Sequence, residues 1–227
     1  MSVNDPITGV DPSYSRGPDE NLEPGALAAL RELAALAGTG LSFTGDPYDR
    51  ERYERIAVLA RTLIAQGLGA PLDRVALALE EAPGYVTPKI DVRGAVIRDG
   101  RVLMVRERTD GRWALPGGYA DVNLSPAEAI EAEIVQESGY TARAVKLVAL
   151  LDRRRHHRAH PLLQHCYKLF FLAELTGGSA AAGTETSEVG FFAPDALPEL
   201  SAGRSTEAQI RLCFDHARDR SLPTVFD

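Results

Sequence analysis

"GGYADVNLSPAEAIEAEIVQESGY", residues 117–140, is a glycine turn running into a short, strongly bounded helix. Ser125 is a helix cap, Pro126 suits the first helical position and Glu128 completes a capping box. Gly139, after Ser138, supplies a left-handed stop. Between these bounds Ile130 and Ile134 share a stripe that can face a core. Glu133, Gln136 and Glu137 share the neighbouring stripe, because side chains three and four residues apart meet on one face. Two carboxylates one turn apart repel mildly when exposed, and the cost climbs if the face is buried without a partner. They are either ordinary solvated charges or ligands for a hard cation. Mg²⁺ takes oxygen ligands and is commonly shared with substrate phosphates. Gly117 and Gly118 favour the second reading, since a backbone without Cβ atoms can come close to a ligand and offer it a carbonyl.

Working outward, the hydrophobic period on both sides of this helix is that of strands. "IDVRGAVI", Asp99-Gly100 and "RVLMVRE" read as a hairpin. "RWALP" is a short strand ahead of the glycines. "AVKLVALLDRR", "LLQHCYKLFFLAEL" and "SEVGFFAP" are strand-like, the second nearly all apolar at its end and so interior. "STEAQIRLCFDHARD" is a closing helix with Ser205 as its expected cap. Strands surrounding isolated helices predict an α/β sandwich with a mixed sheet.

Upstream the pattern differs. Residues 1–24 are rich in Pro, Gly, Asp and Ser and read as a flexible arm. "PGALAALRELAALA" is helical, with Gly38 as its stop. "TGDPYDRERYERIAVLARTLIAQGL" follows, capped by Asp46, with Pro47 in its first turn and an apolar stripe of Tyr53, Ile56, Leu59, Ala60 and Leu63. "PLDRVALALEEA" is a third, shorter helix. Residues 25–84 therefore form a small helical domain, and residues 85–227 a second, α/β domain.

The composition narrows the function. Among 227 residues the formal net charge is −7, which argues against broad nucleic-acid binding or an anionic membrane partner. Phosphate binding would need a local device. The two cysteines, Cys166 and Cys213, lack metal-type spacing and read as buried free thiols. No uninterrupted apolar stretch is expected to span a bilayer, and the first residues lack the build of a secretion signal. A cytoplasmic location is the default.

The stretch from Gly118 resembles the Nudix hydrolase family, whose pattern is Gly, five residues, Glu, seven residues, then Arg-Glu-apolar-x-Glu-Glu-x-Gly-apolar. Gly118, Glu133, Ile134, Glu137, Gly139 and Tyr140 match, whereas Leu124, Ala132 and Gln136 stand where the family has Glu, Arg and Glu. The likeness extends through "DPYDRERYE", "TPKIDVRGAV", "WALPGGYADV", "YKLFFLAEL", "ETSEVGFF" and "PTVFD" to Nudix proteins with an N-terminal helical domain. That subgroup includes CDP-choline pyrophosphatases and ADP-ribose pyrophosphatase-like proteins.

The resemblance implies a Nudix-type α/β/α sandwich and Mg²⁺-dependent hydrolysis of a nucleoside diphosphate-linked small molecule, with CDP-choline as the expected substrate. ADP-ribose is the alternative, and a non-catalytic nucleotide-sensing module is a third reading, motivated by the three departures. Mn²⁺ is an expected substitute. Glu133 and Glu137 are the expected metal ligands, with the Gly117 carbonyl as a third. Glu188 is expected to be an outer metal ligand or to activate water, Glu185 being the other candidate. Arg93, Arg106 and Lys168 are expected to contact phosphate. Trp113 suits core packing or base stacking. The basic run Asp152–His160 reads as a solvated loop or a local attractor of pyrophosphate, and its histidines do not make a zinc site. Tyr48, Tyr53 and Tyr85 are the aromatic candidates for a quaternary ammonium. The helical domain is expected to form a homodimer interface.

Overall fold

A computed structural model describes residues 24–79, 84–157 and 164–227. The expected arm at 1–24 lies almost wholly outside them. The chain divides into two compact units.

The first unit holds three helices: α1 (Pro24–Phe43), α2 (Pro47–Leu68) and α3 (Leu72–Ala78). Asp46 caps α2 by accepting from the amides of Tyr48 (2.8 Å) and Asp49 (3.1 Å), and Gly69 ends it at φ 60°. Gly38 does not stop α1, which runs on to Phe43. A Cβ at Gly40 would sit 2.6 Å from the Tyr53 ring, so that glycine serves close packing between α1 and α2. The buried side of α2 is Ala57, Ala60, Ile64 and Ala65. Ile56, Leu59 and Leu63, expected inside, are exposed, as are Leu33, Leu36 and Phe43 of α1. By length and composition Gly25–Phe43 is apolar enough to cross a bilayer, although Arg31 and Glu32 interrupt it, so no uninterrupted apolar stretch of that length is present there. Residues 84–88 belong to this unit, so the division falls at Pro88 rather than at 84. The reason is local. Gly84 N donates to Ser42 Oγ at 2.9 Å and Val86 N to Thr39 Oγ1 at 3.2 Å, strapping the linker to α1.

The second unit is a seven-stranded mixed sheet between helices. β1 (Lys89–Arg98) and β2 (Arg101–Glu107) form the expected hairpin, with positive φ at both Asp99 and Gly100. β1 runs parallel to β5 (Cys166–Gly178), which is antiparallel to β4 (Tyr140–Asp152); β7 (Val225–Phe226) closes that edge beside β4. Beyond the hairpin turn, β2 pairs instead with β3 (Trp113–Ala114) and β6 (Thr186–Phe192). β1 and β2 therefore diverge, and residues 116–120 fill the gap. Gly94 N donates to Pro116 O, Val92 N to Gly118 O and Ala120 N to Ile90 O, all at 2.8–2.9 Å.

α4 (Pro126–Ser138) covers one face of the sheet. Its Ile130 and Ile134 pack with Val92, Leu103, Leu169 and Phe171. Gly94 makes this possible, for a Cβ there would lie 2.8 Å from Ile134 Cδ1. α6 (Glu207–Arg218) covers the other face, with Ile210, Cys213 and Phe214 against Ala95, Met104, Phe170 and Leu172. The layers are thus α/β/α, as expected. The cap of α6 is Thr206, in a capping box with Gln209, rather than Ser205. Ser205 Oγ instead accepts from Leu115 N at 3.2 Å. A four-residue helix, α5 (Arg153–His156), follows β4.

Candidate functional site

The site grows from the gap between β1 and β2. Gly117 has φ 141°, and a Cβ there would lie 1.9 Å from Val92 O, so only glycine fits. Its N–H donates to Glu137 Oε2 at 2.8 Å. A Cβ at Gly118 would meet Glu133 Oε1 at 2.8 Å. The glycine turn thus lies against both carboxylates of the helix. The caps fix that face: Ser125 and Glu128 complete the predicted box at the start of α4, and Gly139 ends it at φ 72°. Gln136 is exposed on the same side.

These carboxylates are short of positive charge. Burial pushes Glu137 up to about 8 and Glu133 up to about 7; Arg93 opposes both shifts but does not cancel them. Arg93 is itself engaged. It is buried on the face of β1 opposite α4, bonded through Nε and Nη2 to both oxygens of Asp91 at 2.9 Å and through Nη1 to Leu115 O at 3.2 Å. Burial alone would raise the Asp91 carboxyl, but Arg93 and Lys168 outweigh it and hold the group at about 2. Lys168 is fully buried, 3.4 Å from Asp91 and donating to Arg204 O at 2.6 Å.

The remaining expected residues are placed as follows. Arg106 and Glu188 face each other across the β2–β6 ladder and form an exposed ion pair at 2.6 Å. Arg106 Nε also donates to Gly111 O at 2.7 Å. Glu185, the other candidate, is among the charges acting on Glu133 and on Glu107. Trp113 stands edge-on to Phe192, ring centres 4.7 Å apart, which is a packing role. In the basic run, Arg154 pairs with Asp152 at 2.7 Å and Arg153 is buried; residues 158–160 lie outside the described segments. Cys166 and Cys213 are buried free thiols. Sequence reasoning missed Glu107, buried at the end of β2, and Arg204, whose Nε lies 3.0 Å from Glu107 Oε1. Nothing local links two residues so far apart in the chain. Asp91 was legible, since residues two apart on a strand share a face and Arg93 was already singled out.

Residues 88–211 match the family model described as the NUDIX domain. The chain belongs to the Nudix hydrolases. Residues 25–79 match a second model, described as a UDP-X-like N-terminal oligomerisation domain. Among Nudix relatives, YjhB of Bacillus subtilis, provisionally named an ADP-ribose pyrophosphatase, is 40% identical over 201 residues, 88% of this chain and 96% of that one. The crystal structure of a UDP-X diphosphatase is 33% identical, with a TM-score of 0.58, over 91% of this chain and all of the other. An ADP-ribose pyrophosphatase from Streptococcus suis is 36% identical, with a TM-score of 0.57, over 62% of this chain and all of its own.

Nudix hydrolases generally use divalent metal ions, and the donor set here fits a hard cation. Two oxygen-donor carboxylates lie on one helix face, underneutralised, beside a glycine turn whose carbonyls can approach. Among the described residues no three His, Cys, Asp or Glu side chains converge on a metal position. Glu133 and Glu137 are the side chains that would hold such a cation, with backbone, water and substrate oxygens completing its shell, as Mg²⁺ prefers.

Proposed function

We propose that this Nudix hydrolase splits a nucleoside diphosphate-linked compound into a nucleoside monophosphate and the phosphorylated second moiety. The observation that carries this reading is the contact of the glycine turn with both helix carboxylates, Gly117 N on Glu137 and Gly118 against Glu133. Water adds to one phosphorus as the bridging P–O bond breaks. Glu133 and Glu137 would hold Mg²⁺, or Mn²⁺ in its place, with the Gly117 carbonyl as a further donor. When bound, the cation neutralises the diphosphate and lowers the pKa of a water. Glu185 is the better candidate than Glu188 to take that water's proton, because Arg106 already holds Glu188. Arg93 supplies fixed positive charge that acts on both carboxylates. Its bonds to Asp91, and those of Lys168, make these two cations supports of the site's floor rather than free phosphate ligands. Arg106 is tied to Glu188 and Gly111 in an exposed position.

The names of the relatives favour ADP-ribose and UDP-linked compounds over CDP-choline. Tyr53, one of three aromatic candidates for the choline group, is spent on packing at Gly40. The test is a panel of CDP-choline, ADP-ribose and UDP-sugars with Mg²⁺ or Mn²⁺, read by product chromatography. Release of a nucleoside monophosphate from at least one member is expected. Tight binding without turnover on every member would replace this reading with that of a nucleotide-sensing module.

The helical unit supports a homodimer. It matches an oligomerisation domain and exposes Leu33, Leu36, Phe43, Ile56, Leu59 and Leu63. An exposed apolar surface of this kind marks an interaction site, and the apolar character of α1 serves it without a bilayer. The buried, unpaired thiols accord with a cytoplasmic location.

A further inference from the structure

The loop Ser201–Ser205 is held from behind by three buried side chains. His157 Nδ1 donates to Ala202 O at 2.7 Å, Arg153 Nη2 to Gly203 O at 3.1 Å and Lys168 Nζ to Arg204 O at 2.6 Å. The tautomer of His157 follows from its other contact. Gln209 Nε2 lies 3.0 Å from His157 Nε2, and an amide nitrogen can only donate, so the imidazole proton sits on Nδ1. From the front, Ser201 N donates to Trp113 O at 2.8 Å and Leu115 N to Ser205 Oγ at 3.2 Å. Three successive loop carbonyls thus accept from buried donors.

The loop so held aims Arg204 at Glu107. Arg204 Nε lies 3.0 Å from Glu107 Oε1, while Nη2 donates to Thr109 Oγ1 at 3.2 Å and Nη1 to Ser201 Oγ at 3.4 Å. The approach to Glu107 is an ion pair without hydrogen-bond geometry, so Glu107 Oε1 is buried and accepts no hydrogen bond among the described residues. Glu107 nonetheless adjoins the site: it pairs with Thr186 across the β2–β6 ladder, and Thr186 Oγ1 donates to Glu137 O at 2.8 Å.

We propose that Glu107 and Arg204 are a tuning pair, positioning residues outside the ligand set whose balanced charges set how strongly Glu133 and Glu137 attract a divalent cation. The loop held by these bonds is what keeps the balance fixed. The inference rests on the metal-binding role proposed for those two glutamates. Removing Glu107's charge leaves Arg204 to repel a cation; removing Arg204 leaves Glu107 to attract it.

The test is titration of the full chain with Mn²⁺ alone, at low ionic strength and pH 8, by calorimetry. Glu107→Gln is expected to weaken Mn²⁺ binding and Arg204→Gln to strengthen it, each by about threefold or more, with the double variant near wild type. Wild-type affinity in both single variants, or shifts of the same sign, would overturn the pair. If Arg204→Gln does not fold, Glu107→Gln and the double variant decide: affinity must fall in the first and recover in the second. Equal Mn²⁺ affinity in wild type and Glu137→Gln would instead sink the metal reading itself, which separates the two failures.

Discussion

Replacing Gly117 by alanine tests the link between fold and site at one atom. The residue sits at φ 141°, and an added Cβ would lie 1.9 Å from Val92 O and 3.0 Å from Arg93 Cα. All are backbone atoms, so no side chain can rotate away. Holding a non-glycine residue in such a region costs about 1–3 kcal/mol. Relief by moving the turn away from β1 breaks the bond from Gly117 N to Glu137, worth about 0.5–1.5 kcal/mol while burial keeps that carboxyl protonated. Together Gly117→Ala is expected to cost about 1.5–4.5 kcal/mol, which lowers Tm by roughly 5–15 °C for a domain of this size. Gly100→Ala is the control. It also has positive φ, at 71°, but nothing lies within 4 Å of its Cβ, so only the left-handed penalty of about 1–2 kcal/mol applies. Thermal and urea unfolding followed by circular dichroism read both variants, and Mn²⁺ titration reads the site. A Gly117→Ala protein no less stable than Gly100→Ala, with undiminished Mn²⁺ affinity, would refute the reasoning.

Other consequences follow from the same geometry. Burial holds Glu137 near 8 in the metal-free fold against an ordinary 4.5. The unfolded chain therefore loses this proton first, and the group's contribution to stability falls as pH rises between those values. Glu137→Gln removes that contribution, so its stability relative to wild type should grow from pH 5 to pH 8 in denaturant titrations with chelator; a flat difference would mean the carboxyl is not buried. Glu185→Gln should cost about a hundredfold or more in turnover, the scale of lost general-base assistance, while Glu188→Gln keeps most of it. The reverse ranking would restore Glu188. Paired Leu59→Glu and Leu63→Glu substitutions should yield monomers in sedimentation analysis; unchanged sedimentation would place the subunit contact elsewhere.

What was legible in the sequence was local. The bounds of α4 follow from Ser125, Glu128 and Gly139 because caps act through neighbouring amides, and the β1–β2 turn follows from Asp99-Gly100 because that dipeptide accepts positive φ. The match of Glu133 and Glu137 to one helix face needs only the helical period. Decisions made by tertiary packing were not legible. Gly38 reads as a stop, yet α1 continues to Phe43, with Gly40 leaving room for the Tyr53 ring. The stripe of α2 is rotated because small Ala57 and Ala60 allow closer packing than Ile56 and Leu59. Glu188 looked available until the β2–β6 register set it opposite Arg106, and Arg93 looked free until Asp91 took its Nε and Nη2 and Leu115 O its Nη1. The Arg204–Glu107 pair joins distant segments and has no local sign at all.

The central claim is that Glu133 and Glu137 clamp a divalent cation against a bridging diphosphate. The most direct measurement is the rate of nucleoside monophosphate release from the best panel substrate, at saturating Mg²⁺, in folded Glu133→Gln and Glu137→Gln proteins. Both are expected to fall at least about a hundredfold below wild type, the scale of losing a metal-activated water. Wild-type rates in both would show that the two carboxylates on α4 do not perform the chemistry.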